Sequence, residues 1–258
     1  MRRITLVVSA VALLAACGGP PAPATTDIRS VDFGAMGWHD DYLRVDVRMA
    51  AGVANVPGRQ AAPGHAATFR VTGAPVYADA DGDGQLDAAV PTALVVGNGE
   101  IDDWYLWLWR DGSAHQLDHP MARGARCGDV IKSVTPAADG FAVTRLVKPV
   151  GTVCAEAPTI PASSVIGARG DYPVQVRPAF GAPEWCEQSQ HGTRLAGVDA
   201  TPRVAPEPAA PQVTTGRRWT RVLLADQLRA TDPAGGVWHL ALVFDDPAGT
   251  HACGWIPR

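Results

Sequence analysis

Breakers constrain this chain more than any other feature. It has 27 glycines and 22 prolines in 258 residues, spaced so that short apolar or alternating runs stand between turn residues. Proline removes a backbone donor and fixes φ, and glycine weakens helices. What fits between such breakers is a strand of four to ten residues, so the pattern is that of an all-β chain. "YLRVDVRMA" alternates, with Leu43, Val45, Val47 and Met49 on one face and Arg44, Asp46 and Arg48 on the other. "DDWYLWLWRDGSAHQL" reads as two strands joined at Asp111-Gly112, a favoured hairpin pair. A further hairpin turns at "TPAADG" and another at "DPAGG". The expected fold is mainly β, with antiparallel sheets and hairpins in a sandwich-like or partial propeller-like arrangement and few short helices. Arg217 to Ala230 reads equally well as a short helix or a strand.

The N-terminus has a different character. Arg2 and Arg3 precede an apolar run, which ends in the small residues and cysteine of "LAAC", Leu14 to Cys17. The run is the length of a secretory signal and short for a membrane span. "LAAC" resembles the lipobox of bacterial lipoproteins. The resemblance implies removal of residues 1–16, diacylation of Cys17 and anchoring at the outer face of the cell membrane. "GGPPAPATTD" then reads as a tether over 17–28, lacking large apolar residues. Residues 29–165 are expected to form a β-rich domain. Residues 166–258 would form a smaller β-rich domain or extension, with an exposed Pro-rich loop at 199–216.

With Cys17 assigned to the anchor, Cys127, Cys154, Cys186 and Cys253 remain. An exported chain meets oxidising conditions, so two disulfides are expected. Four cysteines allow three connectivities. The hairpin around "TPAADG" brings Cys127 to Cys154, leaving Cys186 for Cys253. No pair has the short spacing of a structural zinc site. Formal net charge is −4, and loss of Arg2 and Arg3 makes the mature chain more acidic. A chain without a Lys/Arg cluster is a poor binder of nucleic acid. Membrane contact would rest on the lipid.

The stretch "YADADGDGQLDAAV" places Asp79, Asp81, Asp83 and Asp87 within nine positions. Carboxylates on alternate residues of a tight loop can converge on a hard cation, with glycine giving the sharp turn and Gln85 its backbone carbonyl. An EF-hand would need glutamate at its twelfth position, where this chain has Val90. The motif resembles the calcium loop of FG-GAP and VCBS-type repeats, D-x-D-G-D-G-x-x-D followed by an apolar strand, over Tyr77 to Val90 only. The resemblance implies Ca²⁺ with Asp79, Asp81, Asp83 and Asp87 as side-chain ligands, in a structural role. The loop occurs once, which counts against a full propeller. More broadly, the chain resembles small actinobacterial-type lipoproteins with one such loop in a β-rich body.

Two other patterns carry weaker signals. Tyr105, Trp107 and Trp109 share one strand face and could stack on sugars; burial of that strand on both faces is the favoured reading. His115 and His119 stand four apart but approach Pro120 after a strand, which argues against a shared metal. No nucleophile elbow, H-E-x-x-H pair, Walker loop or Rossmann fingerprint occurs. The reading is therefore a lipid-anchored calcium-binding protein acting by binding, with an envelope protein or a glycan as partner. An exported hydrolase using carboxylates, for example on glycans, is the alternative.

Overall fold

A computed structural model describes residues 27–57, 66–149, 152–184, 186, 193–195, 201–213, 219–245 and 250–257; the side chains of 193–195, 225–228 and 250 are outside that description. The signal segment, Cys17 and most of the tether therefore lie outside the described residues. The fold is mostly strand, as the spacing of breakers requires. Its only helical pieces among the described residues are two single 3-10 turns, Ile28–Ser30 and Phe33–Ala35, where the Asp27 and Asp32 side chains accept the Arg29 and Gly34 amides.

A hairpin of β1 (Gly37–Asp40) and β2 (Val45–Arg48) leads into the largest sheet. Its strands are β3 (Val53–Val56), β4 (Ala67–Val71), β5 (Val76–Ala78), β6 (Asp87–Val96), β7 (Gly99–Arg110), β8 (Ser113–Gln116) and β9 (Ala122–Ala125). The order is β3-β4-β6-β7-β8. Strands β6 and β7 are long enough to serve two partners each. The start of β6 pairs with β5 and its end with β4; the start of β7 pairs with β9 and its end with β8. Splitting the partners in this way curls the sheet into a half-barrel. The β7–β8 turn uses Asp111 (φ 51°) and Gly112 (φ 75°), both left-handed, as a tight hairpin loop demands.

Two antiparallel meanders follow. The first runs β10 (Val130–Ala137), β11 (Gly140–Val147), β12 (Ile160–Arg169), β13 (Tyr172–Arg177). The second runs β14 (Thr193–Leu195), β15 (Arg221–Thr231), β16 (Val237–Asp245), β17 (Thr250–Pro257). The segment read as helix or strand is thus β15, paired along β16. A domain division at 165/166 would cut through β12, whose register with β11 and β13 spans that point.

Strand β7 lies between two cores. Tyr105, Trp107 and Trp109 face Phe33, Trp38 and Phe69. The rings meet edge to face: Trp38–Trp107 at 4.9 Å, Phe33–Trp107 at 5.3 Å and Trp38–Tyr105 at 5.9 Å between centroids. Leu106 and Leu108 point the other way, onto Val134, Phe141, Val143 and Ile166 of the first meander. A third core joins Val174 of β13 to Val222, Leu224 and Val243. The described part of the Pro-rich segment, 201–213, belongs to this third core; its two ends lie outside the described residues. Expected as an exposed loop, it buries Val204, Ala205, Ala210 and Val213, and Arg203 exchanges backbone hydrogen bonds with Trp255. Its prolines bar a regular ladder but leave its apolar side chains free to pack.

Both expected disulfides form. Cys127–Cys154 has Cα atoms 4.5 Å apart and Cys186–Cys253 5.8 Å apart. They close loops of 27 and 67 residues. Loop-closure entropy alone gives each between about 3 and 4.7 kcal/mol of stabilisation.

Because Trp107 is buried and meets Phe33 and Trp38 edge to face, Trp107→Ala should cost about 3–5 kcal/mol of stability. Urea unfolding checks this; a loss below about 1 kcal/mol would mean that β7 is not the buried centre.

Candidate metal centre and a buried ion network

The acidic loop joins β5 to β6. Asp87 opens β6 with its side chain buried; its Oδ2 accepts the Ala80 amide at 2.8 Å and its Oδ1 the Trp109 amide at 2.9 Å. Asp79 accepts the amides of Gly82 and Gly84, and Asp81 accepts that of Asp83. Gly82 (φ 82°) and Gly84 (φ 84°) occupy the left-handed region, which explains glycine at both points. The result brings ligand oxygens of Asp79, Asp81 and Asp87 within 4.8 Å of one another. Asp83 stands apart from this trio. Its carboxylate accepts the backbone and side-chain amides of Gln85.

The charge balance matters here. Burial pushes the Asp87 carboxyl up to about 6, with Asp81 and Asp83 adding to the rise. Arg110 at the end of β7 offsets part of the repulsion: its Nη2 lies 3.4 Å from Asp81 Oδ2, while its other contacts go to Asp171 and the Gly170 carbonyl. Arg110 is shared with Asp171, so the trio keeps a surplus of negative charge that a divalent cation would offset. Each Asp87 oxygen accepts one backbone hydrogen bond and retains a second lone pair for a ligand. The trio therefore fits a hard divalent ion. Arg110 also ties the loop to the β12–β13 turn, so a bound ion would brace two sheets.

A second polar centre was not legible as such in the sequence. His119, in the segment between β8 and β9, is gripped on both ring nitrogens. Nδ1 lies 3.0 Å from Asp41 in the β1–β2 turn, and Nε2 lies 2.5 Å from Glu207 in the Pro-rich segment. The Tyr172 hydroxyl donates to the other Glu207 oxygen at 3.2 Å. Arg123 of β9 donates to Asp41 at 3.0 Å and to both oxygens of Asp103 at 2.8 Å. The Tyr105 hydroxyl accepts the Asp41 amide. Burial opposes charge on His119, but the hydrogen bonds to Asp41 and Glu207 prevail and raise it to about 10. Burial likewise raises the Asp41 carboxyl, and the His119 hydrogen bond and Arg123 charge overcome it, to about 2. An imidazole held protonated in this way is a clamp between sheets, not a base at neutral pH. Its partners lie 78 and 88 residues away in sequence, so "HQLDH" alone could not reveal it.

The remaining candidates resolve as follows. Tyr105, Trp107 and Trp109 are 0%, 2% and 5% exposed, so the possible sugar platform is instead core. Cys17 lies outside the described residues. Among the described residues no helix is long and apolar enough to cross a membrane. The two disulfides suit an oxidising, non-cytoplasmic setting. No protein-family model, curated protein or solved structure matches this chain.

The His119 clamp has a defined pH window. In the unfolded chain histidine titrates near 6.5. The folded state holds that proton more tightly, so the contribution is full below pH 6.5 and is lost as pH rises through about 10. Asp41 works in reverse, contributing above its ordinary 3.8 and losing that as pH falls through about 2. Accordingly His119→Gln should lower stability by about 3 kcal/mol at pH 6 and by clearly less at pH 10. Denaturant titrations at both pH values test this, and an equal loss at both would contradict a charged clamp.

Proposed function

We propose that this is an exported protein held at the outer face of the cell membrane by a lipid on Cys17, stabilised by Ca²⁺, and acting by binding rather than by chemistry. The observation that carries the reading is the convergence of Asp79, Asp81 and Asp87 beside a single guanidinium. Its position within a D-x-D-G-D-G-x-x-D motif, like that of FG-GAP and VCBS-type loops, favours calcium. Ca²⁺ accepts several carboxylates in a flexible loop, whereas Mg²⁺ prefers to keep its waters. Asp83 and the Gln85 carbonyl are the further oxygen donors that the motif supplies. In this reading the ion fixes a strand-to-strand turn and, through Arg110, the adjoining meander. The anchor rests on the lipobox-like "LAAC" after a basic pair and an apolar run. Two acyl chains hold a protein durably at a bilayer, where one does not.

Calcium removal tests the metal. At an ion concentration a hundred times its Kd, binding to the native state alone adds about 2.7 kcal/mol. A chelator should therefore lower the melting temperature of the wild-type protein, and Asp81→Asn should be insensitive to chelator. Identical melts of the wild type with and without chelator would exclude the bound ion. For the anchor, Cys17→Ser should move the protein from the membrane fraction to the soluble one; continued sedimentation with membranes would contradict lipidation.

A further inference from the structure

The largest sheet carries an open groove that neither the metal loop nor the ion network uses. It has a volume of about 590 Å³. Its floor is a row along β7, Glu100, Asp102 and Trp104, alternate residues that share one face. Their cross-strand neighbours are short: Ala93 and Gly124 flank Asp102, and Ala122 flanks Trp104. Asp102 is exposed there, while Trp104, half-buried against the core of Leu106 and Met121 and flanked by Pro91 on its other side, presents its remaining surface to the trough. One wall is the turn after β4, Thr72 to Ala74, held by the Thr72 amide donating to the Pro91 carbonyl at 3.0 Å. The other runs from Ala125 to Ile131 and includes Arg126 and Asp129.

That second wall is built to stay in place. The Arg126 amide donates to the Glu100 carbonyl at 3.0 Å, and its guanidinium donates to the Asn98 carbonyl. The Ala125 amide donates to the Asp129 carbonyl at 3.0 Å. Asp129 Oδ1 accepts the Lys148 amide at 2.9 Å. The Cys127–Cys154 disulfide joins the same turn to the segment beyond β11. A rigid, disulfide-braced wall opposite an aromatic floor is a pre-formed site.

Its chemistry selects the ligand. The Trp104 indole N–H and the Asp102 carboxylate make no hydrogen bond to the described residues, and only one Asp129 oxygen is engaged. Partial desolvation at the groove floor raises the Asp102 carboxyl, with the Glu100 charge adding to it, and burial raises that of Asp129. Glu100 is paired with Arg70 at 2.8 Å. The groove thus offers an aromatic face, an indole donor and two carboxylates with open acceptor positions. Trp104 can stack on the apolar face of a pyranose ring while the carboxylates accept its hydroxyls or an amino group. The surplus of carboxylates disfavours sugars that bear acid groups.

We infer that the groove of Trp104, Asp102, Asp129 and Arg126 is a binding site for a neutral or amino-substituted carbohydrate chain. The inference rests on the proposed reading of the protein as a surface binder and names the ligand class. Trp104 faces the opposite side of β7 from Tyr105, Trp107 and Trp109, so the groove is separate from the core those three rings fill.

Calorimetric titration of the full lipidated chain in detergent tests it, with calcium present. The probes are the trimers of N-acetylglucosamine, glucosamine and galacturonic acid, with choline as a simple cation. At least one of the first two trimers should bind at millimolar concentration or tighter. Asp102→Ala should weaken that binding roughly tenfold or more. Asp102 is exposed and free of protein hydrogen bonds, so this variant should keep the wild-type melting temperature. Trp104→Phe should retain part of the affinity and Trp104→Ala none. Failure of both amino-sugar trimers to bind would overturn the inference, as would equal binding of the galacturonate trimer or an affinity unchanged in Asp102→Ala. Choline binding with the same variant sensitivity would also overturn it, by making the groove a cation site. Chromatography of the trimer after incubation separates the two proposals. Recovery intact agrees with both; release of shorter sugars would overturn the non-catalytic reading and leave the groove as the carbohydrate site.

Discussion

Over its second half, strand β7 has no solvent face, and the rest of the molecule is arranged around that fact. Tyr105, Trp107 and Trp109 require an apolar partner on one side, and Leu106 and Leu108 require one on the other. The 3-10 turns, the N-terminal hairpin and β4 supply the first; the β10–β13 meander supplies the second. A strand buried on both faces leaves its neighbours little freedom of register, since a shift of one residue would exchange the two cores. The Trp109 amide sits within this strand, and it donates to Asp87. The acidic loop is thereby attached to the most constrained element of the fold.

Charge is handled by the same architecture. Three carboxylates near β7 have specific positive or hydrogen-bonding partners: Asp103 has Arg123, Asp41 has His119 and Arg123, and Asp87 has two backbone amides. Such pairs add less net stability than their number implies, because desolvation opposes them. What they add is specificity of assembly. His119 can meet both Asp41 and Glu207 only when the hairpin and the Pro-rich segment dock against the same edge. Arg145, itself buried, donates to the Pro183 carbonyl at 3.4 Å; burial lowers its affinity for the proton and the charges of Asp129 and Glu184 oppose that.

The exposed row of the sheet is polar. Among the first six residues of β7, Glu100, Asp102 and Trp104 stay at least partly exposed and line the groove; from Tyr105 onward burial takes both sides. The disulfide nearest the N-terminal half braces the groove wall, and the other crosses beneath the C-terminal sheet among Trp238, Leu240 and Trp255. Both serve stability, and the first also fixes a surface shape.

Local patterns determined a good deal. Alternation between breakers determined strands at Val45–Arg48 and Val130–Val147, the Asp111-Gly112 pair determined a tight turn, and a hairpin between Cys127 and Cys154 determined their pairing. These are contacts between residues close in sequence, where backbone geometry dictates the outcome. The tertiary structure decided what depends on distant neighbours. It turned the Pro-rich segment from exposed loop into core, because its Val and Ala side chains found an apolar face on β15–β17. It settled Arg221–Thr231 as strand, because β16 offered a ladder. Three of the four loop aspartates converge while the fourth turns to Gln85, a choice set by which amides lie in reach. And it assembled the His119 clamp and the Trp104 groove from segments whose sequence separation leaves no trace along the chain. Periodicity records which face of an element is buried; only packing records what that face meets.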